Sequence, residues 1–282
     1  MGDGKTTATK QDATVTSGRR SLKAKMRIAV LTERIDVHGP EVAIFRLKPK
    51  DHDLFDFGAG QYATLGLDVG EEFVPRAYSI ASSPYERSYL ELYINVIEQG
   101  QLTPSLFNLR HGDEVHYMGP KGVFTLAKSN APHLLLFATG TGLAPYVSML
   151  RTLSIDQDQG KPHGRIITLA HGVRYTADLG YRWELDGLSR HKEFNLLCLP
   201  MASRWQEDRH WMSKVGRGRV TALLEGATPD VLPEGLDPDE VQSRYPPGST
   251  AVYLCGNPDM IIDARSILSA KGYEEIYAEE YW

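Results

Sequence analysis

Hydrophobic positions change their rhythm along the chain. From about residue 26 to 128 they come as short runs rich in β-branched and aromatic residues: Met26–Val30, Val42–Leu47, Gln61–Leu67, Ala77–Ala81, Leu90–Val96 and Glu114–Tyr117. Turn signals separate them, among them Gly58-Ala59-Gly60, Ser82-Ser83-Pro84 and Gly119-Pro120-Lys121-Gly122. Short strands at this spacing predict an antiparallel barrel or sandwich. One helix interrupts it, with Thr103 as the cap of a turn through Leu106 and Leu109.

After Asn130 the pattern alternates. His133–Ala138, Arg165–Ala170, Asn195–Leu199, Ala251–Cys255 and Ile276–Ala278 read as strands. Helical periodicity lies between them, through Tyr146, Met149 and Leu150, through Leu185–Leu188, and through Ile262 and Ile267 after Asn257 or Asp259. Strands alternating with helices predict a doubly wound parallel sheet. The segment Gly226–Gly248, rich in Pro, Asp and Glu, is expected to be a surface loop. The predicted organisation is a basic disordered tail over 1–25, a β-barrel over 26–129 and an α/β domain over 130–282.

Composition narrows the function. The 282 residues suit two domains. A net charge of −5 gives no basic field for nucleic acid, and no apolar run is long enough for a membrane span. The two cysteines, Cys198 and Cys255, are too few for an iron–sulfur cluster or a disulfide framework, and no metal site is expected. A reducing, cytoplasmic setting follows, with a monomer as the simplest state.

Several motifs carry candidate chemistry. In Arg76-Ala77-Tyr78-Ser79 the strand period puts Arg76 and Tyr78 on one face, a cation for phosphate beside a flat ring for stacking. Taken alone, the pair also describes a surface cation beside a half-buried Tyr. Gly100-Gln101-Leu102-Thr103 precedes a helix whose free N–H groups can meet phosphate, or simply opens an ordinary helix. Thr139-Gly140-Thr141-Gly142-Leu143-Ala144-Pro145 joins a strand to a helix, as in nucleotide-binding units, though it is not a complete Gly-x-Gly-x-x-Gly.

The second α/β strand ends His171-Gly172-Val173-Arg174, where an NAD site usually shows an acidic residue. No carboxylate comes before Asp178, and Arg174, Arg204 and Arg219 suit a 2′-phosphate instead. Arg217 stands close to the last of them. Cys255-Gly256-Asn257-Pro258-Asp259-Met260 lies at a strand's carboxyl end, where open α/β sheets bind ligands. A buried structural Cys reads the same way. The chain closes on Ala278-Glu279-Glu280-Tyr281-Trp282, an aromatic pair that fits packing against a flat partner or covering an apolar seam.

These motifs, in this order, resemble the ferredoxin–NADP reductase family, and most of all its bacterial ferredoxin/flavodoxin branch. The resemblance covers residues 26 to 282. It implies FAD on the barrel and NADP(H) on the α/β domain. Arg76 with Ala77 would bind the FAD pyrophosphate, Tyr78 would stack on the isoalloxazine, and Ser79 would lie near flavin N5. The backbone of Gly100, Leu102 and Thr103 would complete the pyrophosphate site. Thr141 and Gly142 would line the nicotinamide path, Arg174, Arg204 and Arg219 would take the 2′-phosphate, and Cys255 and Glu279 would flank the reacting ring. Tyr281 would cover the other flavin face and Trp282 would approach the adenine. The implied activity is electron transfer between NADPH and ferredoxin or flavodoxin. A reductase component of an oxygenase system, or a flavin-bearing regulatory subunit of low turnover, is the alternative.

Overall fold

The computed structural model describes residues 19, 21–38 and 41–280. Its two sheets separate the chain into two domains. The first is antiparallel, built from β1 (Arg27–His38), β2 (Val42–Pro49), β3 (Tyr62–Val69), β4 (Glu72–Ser79), β5 (Leu90–Asn95) and β6 (Glu114–Lys121). The strand order is β4-β3-β6-β1-β2-β5. Its edges meet through a bridge between Ile80 and Leu92 and a 2.7 Å bond from Ala81 N to Glu91 O. That closure leaves no long open edge. Phe45, Leu65, Ile80, Leu92 and Tyr117 fill the interior.

The second sheet is parallel, with β7 (His133–Thr139), β8 (Ile166–Val173), β9 (Leu196–Ala202), β10 (Gly216–Arg217), β11 (Thr250–Gly256) and β12 (Glu275–Glu280) in the order β10-β9-β8-β7-β11-β12. Helices cover both faces, so β11, an interior strand, is buried along its whole length. The side chains of β7 divide the layers. Leu134, Leu136 and Ala138 pack with α2 (Ala144–Asp158) and α3 (Arg182–Arg190). Leu135 and Phe137 face α4 (Ala222–Glu225), α5 (Pro238–Ser243) and α6 (Pro258–Ala270). The first of these clusters also takes in Val42, Ile44, Ala81, Tyr93 and Phe124 of the barrel, so one apolar core crosses the domain junction.

Three expectations need correction. The 226–248 segment is not simply a surface loop: it contains α5 and buries Ala227, Leu232, Val241 and Tyr245 in the second core. Thr103 does not cap its helix, α1 (Thr103–Phe107), which ends before Leu109. Its Oγ1 instead accepts from Ile97 N at 2.9 Å and donates to Ile97 O at 3.2 Å, closing the preceding loop. Strands β1 and β4 run longer than their apolar runs, because hydrogen-bonded pairing continues through polar positions such as Arg34 and Glu72. Most of the expected tail, 1–18 and 20, lies outside the described residues, as do Tyr281 and Trp282. Arg19 pairs with Glu72 at 2.6 Å and Lys23 with Asp68 at 2.5 Å, on the β3–β4 hairpin.

Candidate functional site

Parallel topology singles out one crevice. The chain runs outward from β7 through β8 and β9 to β10, then returns to β11 on the other side of β7. At such a switch point the loops after neighbouring strands diverge and leave room for a ligand beyond their carboxyl ends. Here those loops are Gly140–Leu143, a short 3-10 turn after β7, and Gly256-Asn257, where β11 ends and the next helix is capped.

The two loops touch with no spare volume. A Cβ on Gly142 would lie 2.4 Å from Cys255 O and 2.7 Å from Gly256 Cα. A Cβ on Gly256, whose φ is +129°, would meet Thr139 Oγ1 at 2.3 Å. Thr139 Oγ1 accepts from Asn257 N at 2.8 Å, and Asn257 caps α6 by accepting from Asp259 N and Met260 N. Pro145 occupies the first turn of α2, where a missing N–H costs nothing. Below the turn, His171 is fully buried and its Nε2 bonds Gly140 O at 2.9 Å. Burial lowers the His171 pKa to about 4, so a neutral Nε2–H donates to that carbonyl.

The barrel meets this crevice along β4. Register pairs Cys255 on β11 with Glu279 on β12, and Tyr62 on β3 with Ser79 on β4. Ser79 Oγ donates to Glu279 Oε2 at 3.2 Å, across 200 residues of sequence. Burial pushes the Glu279 carboxyl up to about 7, with the Ser79 hydrogen bond and Lys128 opposing in part. A Cβ on Gly122 would come within 2.9 Å of the Tyr62 ring and 3.4 Å of Glu279 Oε1, so Tyr62, Ser79, Gly122 and Glu279 converge. Sequence reasoning missed Tyr62 and Lys128. Only strand register brings Tyr62 to Ser79, and no motif marks it.

Arg76 and Tyr78 lie on the same strand. Arg76 is exposed and bonds Gln101 Oε1 at 3.2 Å, which joins the Arg76–Ser79 and Gly100–Thr103 motifs. Ala77 is exposed between them, and Leu102 is buried at the start of α1. Burial raises the Tyr78 hydroxyl well above its ordinary value, so the ring stays neutral.

Arg174, Arg204 and Arg219 are exposed just past three consecutive strands, β8, β9 and β10. Arg204 N bonds Arg174 O at 3.0 Å, and Arg204 Nη1 donates to Tyr175 Oη at 3.1 Å. Arg217 differs. Its guanidinium sits 5.4 Å from the Trp205 ring and 4.9 Å from the Trp211 ring. Asp178 accepts from Tyr175 N at 3.0 Å, so this carboxylate ties down the turn after β8.

Residues 29–126 match the oxidoreductase FAD-binding domain family, and residues 136–266 match the oxidoreductase NAD-binding domain family. The flavodoxin/ferredoxin–NADP reductase of Escherichia coli (strain K12) is 35% identical over 214 residues, 74% of this chain and 77% of that protein. The reductase component of propane 2-monooxygenase from Mycolicibacterium goodii is 30% identical over 82% of this chain, which spans 60% of that longer protein. The solved structure of a ferredoxin NADP+ reductase from Neisseria gonorrhoeae, with bound FAD and NADP, shares the fold. Its TM-score is 0.75 at 24% identity, covering 92% of this chain and 99% of that one. Two matched domains in this order, with a relative of this identity and coverage, show that the chain belongs to the ferredoxin/flavodoxin–NADP reductase family.

Proposed function

We propose that the chain exchanges hydride between NADP(H) and FAD and passes electrons singly to ferredoxin or flavodoxin. The carrying observation is the meeting of Ser79 and Glu279 beside Cys255 and the Gly142 turn, where a barrel strand faces the switch point of the parallel sheet. FAD, when bound, supplies the exchange between two-electron and one-electron chemistry.

The residues present fit that group. The exposed Arg76 guanidinium, held beside Gln101, would bind the pyrophosphate together with the backbone at Gly100, Leu102 and Thr103. Tyr78 offers a neutral ring for stacking. Gly142 and Gly256 let the two loops close backbone to backbone, which brings the Thr141-Gly142 turn against Cys255. Glu279, raised to about 7, can hold or release a proton at its carboxylate near neutral pH, and the Ser79 hydroxyl orients it. Arg174, Arg204 and Arg219 would grip a 2′-phosphate, which supports NADP(H) over NAD(H). Tyr281 would cover the other flavin face and Trp282 would approach the adenine; both lie outside the described residues. The working state is a cytoplasmic monomer, with 26–129 as the FAD domain and 130–282 as the NADP domain.

Anaerobic titration of the FAD-loaded protein with NADPH, and separately with NADH, tests this. Bleaching of the flavin at much lower NADPH than NADH concentration is the expected result. A protein that takes up no FAD, or whose flavin neither nucleotide reduces, overturns the reading. Turnover with ferredoxin, flavodoxin or an oxygenase partner as acceptor then separates the carrier reading from the oxygenase-reductase one.

A further inference from the structure

We infer that Arg151 is a positioning residue, which fixes the angle at which the two cofactor-binding domains face each other through a buried polar lock. The inference rests on the cofactor placement proposed above.

Helix α2 begins directly after the Gly140–Leu143 turn, and segment 81–85 begins two residues after Ser79. The two are joined along their lengths. Ser148, Arg151, Thr152 and Asp156 recur at the three- and four-residue spacings that share one helical face. Each bonds the barrel segment: Ser148 Oγ to Ser82 O at 2.7 Å, Arg151 Nη1 to Ala81 O at 3.1 Å, Thr152 Oγ1 with Ser83 Oγ at 2.9 Å, and Asp156 Oδ1 from Tyr85 Oη at 2.6 Å.

Glu91, 1% exposed on β5, is the centre. It accepts from Arg151 Nη1 at 2.6 Å, Arg46 Nε at 2.8 Å and Tyr181 Oη at 3.0 Å. The other edge of the Arg151 guanidinium forks onto Glu184 of α3 at 2.5 and 2.8 Å. Glu91 also anchors segment 81–85, since its N donates to Ser82 Oγ at 3.1 Å and its O accepts from Ala81 N at 2.7 Å. Arg151, itself on α2, is therefore bonded at once to the barrel and to α3 of the α/β domain.

Apolar contact would hold the domains together at many angles. Directional, charge-assisted bonds select one. Hydride transfer is the step that feels the selection, because a misplacement of about 1 Å can cost about 100-fold in rate. On the proposed placement the adenylate end of the nucleotide and the FAD pyrophosphate would each be held within one domain, so their affinities should not depend on the angle.

The test uses the full FAD-loaded chain and the variants R151Q, R151K and E184Q. Three quantities are read: FAD per chain, 2′,5′-ADP affinity, and the rate of flavin reduction by saturating NADPH in stopped flow. In R151Q the rate should fall about 10-fold or more while FAD content and 2′,5′-ADP affinity stay within about twofold. R151K keeps the charge against Glu91 without the fork and should fall between. E184Q leaves Arg151 on Glu91 and should lose rate by a smaller factor. An R151Q rate per flavin equal to wild type, or a loss that only tracks lost FAD, overturns the inference. If R151Q does not fold, an unchanged E184Q rate overturns it equally. Failure of NADPH to reduce the wild-type flavin would instead sink the functional reading.

Discussion

Ser79 and Glu279 share a hydrogen bond of 3.2 Å although 200 residues separate them. The carboxyl is pushed up to about 7 mainly by burial. NADPH-driven flavin reduction should therefore vary with pH around 7, and E279Q should flatten that dependence and slow reduction by roughly 10-fold or more. A retained inflection in E279Q would remove Glu279 as its source.

The same group shapes stability. Its folded pKa of about 7 lies above the ordinary 4.5, so the folded state binds the extra proton between those values. Stability from this group is full below pH 4.5 and is lost as pH rises through 7. Melting temperatures should show E279Q gaining on wild type from pH 5 to pH 8; a constant difference would contradict the buried carboxyl.

His171 works in the opposite sense. Its folded pKa of about 4 lies below the ordinary 6.5, so the folded state binds fewer protons between them. Stability falls as pH drops through that window. Replacing it by Leu should cost about 1 kcal/mol at pH 7 through the lost bond to Gly140. The variant should also weaken NADPH binding and lose less of its melting temperature than wild type between pH 7 and pH 4. Parallel melting curves would show that His171 does not titrate there.

Arg204 stands past the end of β9 beside Arg174 and Tyr175. Loss of one charged donor to phosphate is worth about 1.5–3 kcal/mol. R204A should raise the KM for NADPH about 10-fold or more and leave that for NADH nearly unchanged. Equal changes for both nucleotides would place the 2′-phosphate elsewhere.

Gly142→Ala adds one methyl against the Cys255 carbonyl, 2.4 Å away. Backbone cannot swing aside as a side chain can. The expected loss is about 1–3 kcal/mol, with slower hydride transfer, read by denaturant unfolding and stopped flow. A fully stable and active variant would mean the two loops part easily.

Much of this could be read in the sequence because the signals were local. The apolar run His133–Ala138 followed by a Gly turn and Pro145 needs no distant partner to be recognised. Arg76, Ser79 and Cys255 can be singled out as candidates because they sit in contiguous motifs. Tyr62 and Lys128 were missed because only register and chain crossing bring them to Glu279. The 226–248 stretch was misread because frequent Pro, Asp and Glu hid Leu232, Val241 and Tyr245, which are buried by α5 and its surroundings. Glu91 and Arg151, 60 residues apart, leave no periodic trace, since an ion pair across domains obeys neither the helical nor the strand period.

That ion pair limits how the halves can be exchanged among relatives. A chimaera that joins this barrel to a foreign α/β half lacking a cation at the place of Arg151 would leave the buried Glu91 with Arg46 in place of two cations. The loss of one charged hydrogen-bond partner of this kind costs about 1.5–3 kcal/mol. The barrel and its partner must therefore be inherited, or recombined, as a matched set.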